Sequence, residues 1–581
     1  MSISASLGNA LSGLYAARAA LDTISANVAN ANTVGYARKA VDLSARADSS
    51  GGGGGVEVRS IVRFTDAFLH DADVAATADR GRSEAYSAMA SELDGALGEP
   101  GTGRDLSSLI SRLREALTAA TAAPQDVSKR RAVVEAADAM ARGFSSISKA
   151  VTGVRARSTA TCKDLVSKLN GQLASIAGLN QKIVSARQTG METGLLEDQR
   201  DAVIGDVSRL IDLKLLRRDG GAIDVLVAGR QVVSGSRASP LAASSNSSGL
   251  VALSIDGLTI TDGVASGSIK GNLDVVNKLV ARTDADIRDL AASVVRALNA
   301  AHSSGTSIPG RPLVEAQPRV SAGEPFSFAG KLRLMLVDGD GKVTASQTIV
   351  LPRPATIEGF VNSIDLPGVT AAFNQGKLTI DARAAAPARN LVWSAEPGST
   401  VTLATAGGET DTGVSLPQFL GLNDMLTLSA DHRAMAVRPD LLARPELLAH
   451  AKPQFSASAP NFGAVVTGAA DGRNLSALIS GLDSQVVIGG ADGRPERAGG
   501  LSDVSQSIVL SLAGEATRAA ADRDVSAKTA DEVRSKIATV SGVSIDEEMA
   551  QINLYQSTYG AAARVISVAS QMLQDLIRIG Q

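Results

Sequence analysis

The sequence predicts a multidomain α-plus-β chain. N- and C-terminal helices pair as a coiled-coil-like core, beside an antiparallel helical domain and inserted β-rich domains. Three observations predict it. Apolar residues recur in steps of four and three at both ends of the chain, and the same helical spacing fills most of residues 85–210. Strict alternation takes over twice, after Asp212 and again near Leu332.

From Ser2 to Asn32 there is no proline, and Ile3, Leu7, Ala10, Leu14, Ala17, Leu21, Ile24, Val28 and Ala31 form a seam. The seam is narrow and flanked by Asn9, Arg18, Asp22, Asn27 and Asn30, so this helix needs a partner. Residues 40–64 read as a loop with short strands, Gly51 to Gly55 forming a flexible tip before Val56, Val58 and Ile61. No lysine with serine or threonine follows that glycine run in phosphate-binding spacing. Helical stripes come next: Tyr86 to Leu97, Leu106 to Leu117, Val133 to Val154, Leu165 to Ile183 and Leu196 to Leu210, with Pro124 separating the second from the third. These are expected to share one antiparallel core.

The period then changes. Leu213 and Leu215, the Asp219-Gly220-Gly221 turn, Ile223, Val225 and Val227, and then Val251 to Ile260 around Asp256-Gly257, predict a small β domain. Helix resumes over 271–299. A longer β-rich stretch follows, in which Leu332, Leu334 and Leu336 alternate with Arg333 and Met335 before the Asp338-Gly339-Asp340-Gly341 turn. Leu501, Val504, Ile508 and Leu512 lead to a C-terminal seam of Ile545, Met549, Ile552, Tyr559, Ala563, Ile566, Leu573 and Ile577. Ser544 and Glu547 form a capping box there, and Asp546, Glu547 and Glu548 suit the helix dipole. Arg578 and Gly580 mark its end. The expected domains are 1–39 with 541–581, 40–211 with 267–303 and 500–540, 212–266, and 304–499.

Composition excludes several classes of function. The 57 basic and 60 acidic residues leave a net charge of -3, which offers no field for nucleic acid. The apolar fraction is 44% but aromatics are only 3%, so helices are expected to meet through small side chains. No run reaches the ~18–20 apolar residues of a membrane span, and the first residues lack the plan of a cleaved signal. Cys162 is the single cysteine, so no intrachain disulfide is expected, and it reads as a small surface or interface residue. His70, His302, His432 and His450 lie outside metal-ligand spacing, and no glutamate closes a calcium loop after Asp338. No catalytic, metal or cofactor site is expected. Capping accounts for Asp546, Glu547 and Glu548.

The run Ser25-Ala26-Asn27-Val28-Ala29-Asn30-Ala31-Asn32-Thr33-Val34-Gly35-Tyr36 resembles the N-terminal signature of the flagellar axial proteins, the rod, hook and hook-associated family. Tyr36-Ala37-Arg38, the segment Gly542 to Glu548, Tyr555-Gln556 and Ala563-Arg564-Val565-Ile566 are similar to its hook-associated members. So are Leu97-Gly98-Glu99-Pro100 ahead of Leu106-Ser107-Ser108, and Leu195-Leu196-Glu197-Asp198-Gln199-Arg200-Asp201, segments that hook proteins lack. Val34 departs from the usual proline, and Lys39 from a common glutamine. The resemblance covers residues 1–303 and 500–581.

It implies a structural adaptor between hook and filament, exported through the flagellar type III channel without cleavage. It also implies self-assembly in an axial layer, with the hook protein and a second hook-associated junction protein as neighbours and an export chaperone at the C-terminal segment. The expected assembly interface is Leu7, Leu14, Leu21, Ile24 and Val28 with Ile545, Met549, Ile552, Tyr559, Ile566 and Leu573. Asn27, Asn30 and Asn32 either make intersubunit hydrogen bonds or solvate a helix end. The terminal helices are expected to order on assembly. A hook or rod subunit is the alternative, as is a surface adhesin carried on the β insert. No constellation supports an enzyme there.

Overall fold

The computed structural model describes residues 3–33, 35–47, 53–98, 103, 105–316, 318–385, 390–405, 408–490 and 493–579. Helix α1 (Ile3–Ala29) leads into an antiparallel hairpin of β1 (Lys39–Ala47) and β2 (Gly53–Arg63), longer than the loop with short strands expected. Packing explains the extra length, because a lone two-stranded hairpin is marginal and this one lies against α1. Gly51 and Gly52 lie outside the described residues. Gly53 to Gly55 are strand. Gly55 has φ +90°, and a Cβ there would fall 2.3 Å from Ser12 Oγ, so only glycine fits this approach to α1.

Next come α2 (Ala67–Leu97), α3 (Leu106–Thr121), α4 (Val127–Gln188) and α5 (Gly194–Leu210). The carboxylate of Asp105 caps α3 by accepting from Ser108 N at 3.0 Å. Glu99 and Pro100 lie outside the described residues. Two of the expected stripes are one helix, the 62 residues of α4. Val154, Ser158, Cys162, Val166 and Leu169 carry the buried line across the supposed break. Cys162 is therefore a core residue and not a surface or interface one. Burial pushes its thiol up to about 11, which leaves it unreactive.

The described chain forms two compact units. The first comprises residues 1–90, 155–279 and 516–581, the second 91–154 and 280–515. In the first, α4 and α5 share a core with a four-stranded antiparallel sheet (Lys214–Arg217, Ile223–Val227, Arg230–Ser234, Arg237–Ala238) and a three-stranded one (Leu241–Ser245, Val251–Ile255, Leu258–Thr259). Asp256 and Gly257 take φ +50° and +77°, the turn that suits a two-residue hairpin. Two helices complete this unit, the last part of Leu501–Ser541 and the C-terminal helix Ile545–Ile579.

The second unit is built around Leu332–Val337, which pairs with Val343–Ile349 and Asn390–Ala395. Both faces of this strand are buried. Leu332, Leu334 and Leu336 join the main core with Phe326, Trp393 and Phe419, while Met335 and Val337 join a smaller one. Arg333 is buried too, its guanidinium donating to Ser456 O and Ser458 O at 2.6 Å. Asp338 Oδ1 accepts from Asp340 N and Lys342 N, so its loop is a hairpin turn. The helix Arg473–Leu482, hidden in sequence by its Gly-rich flanks, packs on α3 and on Ala281–Ser303.

Candidate functional site

Helix α1 and the C-terminal helix pack against one another. The buried face of α1 is Ala16, Ala17, Ala20, Thr23, Ile24 and Asn27. This corrects the expected seam: Leu7, Leu14, Leu21 and Val28 are only half-buried. The reason is that α1 has two partners, the hairpin as well as the helix, and alanines let both backbones come close. On the C-terminal helix Ile552 and Ile566 are half-buried, whereas Ile545, Met549, Tyr559 and Leu573 are exposed. A second apolar line, which the seam reading missed, is exposed as well: Leu554, Val565, Val568, Met572 and Leu576. Their spacing was available in the sequence.

Where the two helices meet, Asn27 is fully buried and uses all its hydrogen-bonding capacity within the chain. Its Nδ2 donates to Lys39 O at 2.8 Å and to Glu548 Oε2 at 3.0 Å. Its Oδ1 accepts from Lys39 N at 3.0 Å and Tyr36 Oη at 2.9 Å. The two roles considered from sequence, intersubunit bonding or solvation of a helix end, are therefore both replaced at Asn27 by a lock inside the chain. Asn30 donates to Ala26 O at 2.9 Å, and Asn32 is exposed. Gly35 has φ +83°, which lets the signature turn back toward Asn27. Val34 lies outside the described residues.

Glu548 corrects a second expectation. Capping does not account for it, because its side chain is 1% exposed and accepts from Arg38 Nε at 2.6 Å. Ser544 does cap the helix, at 3.4 Å from Glu547 N. Arg38 also donates its backbone N–H to Ser541 O at 3.0 Å, so it holds both sides of the connection between the last two helices.

The base of the hairpin is fixed to α5 by charge. Lys39 Nζ donates to Asp198 Oδ2 at 2.7 Å, and Arg63 donates to Glu197 Oε2 at 3.2 Å and Asp201 Oδ2 at 2.8 Å. Burial raises the Glu197 carboxyl, but hydrogen bonds from Arg187 and Thr193 and the charge of Arg63 outweigh it and hold the group below the usual range. Arg200 reaches the turn before Ile223 and helix α4, donating to Gly221 O at 2.7 Å and Asn180 Oδ1 at 3.2 Å. The interior run Glu197 to Asp201, found by resemblance alone, is thus the socket for the hairpin.

Three family models match the chain: the flagellar hook-associated protein FlgK helical domain over residues 90–313, the flagella basal body rod protein over 7–36, and the flagellar basal body rod FlgEFG protein C-terminal over 528–579. Flagellar hook-associated protein 1 of Salmonella typhimurium is 24% identical over 604 residues, covering 99% of this chain and all of the relative. This chain is similar over nearly its full length to flagellar hook-associated protein 1. The same protein of Escherichia coli is 24% identical over 600 residues with the same coverage, and that of Bacillus subtilis 26% over 422, covering 65% of this chain and 81% of its own. The solved structure of the flagellar hook junction protein FlgK from Burkholderia pseudomallei aligns with a TM-score of 0.48 at 15% identity, over 81% of this chain and all of that one. Among the described residues no group of three or more His, Cys, Asp or Glu could hold a metal ion, and no helix is long and apolar enough to cross a membrane.

Proposed function

We propose that this hook-associated protein is a structural adaptor that joins the flagellar hook to the filament and polymerises through its terminal helices. One observation carries the reading. The two terminal helices are locked together at Asn27 and Glu548, yet the C-terminal helix keeps Leu554, Val565, Val568, Met572 and Leu576 open, a stripe suited to burial against neighbours in a polymer. The proposed assembly interface is that stripe with Leu7, Leu14, Leu21, Ile545, Met549, Ile552, Tyr559, Ile566 and Leu573. The proposed neighbours are further copies, the hook protein and a second hook-associated junction protein, and an export chaperone engages the C-terminal segment. Export occurs through the flagellar channel without a cleaved signal, and the chain works outside the cell. Residues 304–499 form an outer insert in this scheme.

Electron microscopy of cells lacking the gene, with a blot for flagellin in the medium, tests it. Hooks ending bare with flagellin shed outside are the expected result. Missing hooks would move the chain into the rod or hook. Normal filaments would overturn the axial role and return attention to a surface role for the β insert.

A further inference from the structure

We propose that Asp198 is the positioning residue that closes the hairpin and so aims the terminal helices. Lys39 and Arg63 are register partners at the base of the hairpin, two positive charges directly opposite each other. Such a pair opposes strand pairing. The side chains of Lys39, Arg63 and Asp198 are only 12%, 11% and 7% exposed, so solvent screens the repulsion weakly. Asp198 touches both cations. Its Oδ2 takes the Lys39 hydrogen bond, and its Oδ1 lies 2.7 Å from Arg63 Nη2. The two cations differ in what else they have. Arg63 is also paired with Glu197 and Asp201, whereas Lys39 has the Tyr36 ring at 4.1 Å. Among the described residues Asp198 is the one carboxylate bridged to Lys39.

What the clamp positions follows from the backbone. The N–H and C=O of Lys39 are both held by Asn27, and Asn27 holds Glu548 of the C-terminal helix. A hairpin that opens at its base therefore loosens the seat of α1 on the hairpin and, through Asn27, its lock to the C-terminal helix. The inference goes beyond the junction role and does not depend on it.

The test is amide hydrogen exchange on the full chain at neutral pH and low salt. Asp198→Asn is expected to speed exchange in β1 and β2 by about tenfold or more, with the amides of Leu165 to Ile183 in α4 unchanged. Adding Lys39→Gln to that variant should return the strands to within about threefold of wild type, since the opposing charge is gone. Unchanged strands in Asp198→Asn would overturn the inference. So would a double variant as open as the single one, which would make Asp198 a plain packing group, or a loss of protection that spreads through α4.

Discussion

Asn27 is where the two ends of the chain become one structure. Replacing it with alanine strands the Lys39 N–H and C=O, the Tyr36 hydroxyl and part of Glu548, so docking of the C-terminal helix should weaken by ~3 kcal/mol or more. Faster amide exchange from Ile545 to Ile566, with the α4 core unaffected, would be the sign. Tyr36 itself is held un-ionised, mainly by burial and then by the charges of Asp198 and Glu548. In the second unit, His302 accepts from Ala449 N at 3.0 Å through Nε2, and burial lowers its imidazole to about 3. That depressed value means its contribution is fully present above about pH 6.5, the unfolded value, and is lost as pH falls from there toward 3. Urea midpoints measured between pH 7.5 and 5 should therefore fall more for wild type than for His302→Gln, and equal slopes would exclude the effect. Asn27 was visible in the signature, but its role was not. Glu548 was misread because a third acid in a helix's first turn looks like capping, and its partners are 521 and 510 positions away.

At the scale of elements, the hairpin and the terminal helices behave differently under substitution. Gly55→Ala forces a positive φ and a collision with Ser12, at a cost of roughly 1–3 kcal/mol, and should lower protection in β2 while leaving α4 intact. Leu14→Asp or Ile566→Asp acts on half-buried positions instead. Each is expected to keep the thermal transition of the helical and β domains while blocking incorporation into flagella, read by motility and by the protein accumulating in the medium. A collapse of the whole fold would join folding and assembly in the same residues. Helix existence was readable from the spacing of apolar residues. Helix length was less so, since Ser158 and Cys162 interrupt the apolar pattern of α4 yet lie on its buried line.

For the whole molecule, the contrast lies between a finished core and open ends. The C-terminal helix beyond Ala569 is exposed along its whole surface to Arg578, including Met572, Leu573, Leu576 and Ile577. Trypsin acting on the monomer is expected to cut at Arg564 and Arg578 well before it reaches residues 106–200, and the same sites should be protected in assembled flagella. If both ends resist as firmly as the core, they are not waiting for a partner.

The sequence by itself determined the kind and order of most elements, though not the helix Arg473–Leu482, because helical and strand periods are local properties of apolar spacing. It also carried the resemblance to the flagellar axial proteins, through short runs such as Ser25 to Tyr36 and Leu195 to Asp201. Only the tertiary structure decided which face of α1 is buried, why Glu548 is enclosed, and what Glu197, Asp198 and Asp201 hold. Those answers depend on residues far apart in the chain, where a side chain's partner, and so its burial and charge state, is set by packing and not by its neighbours.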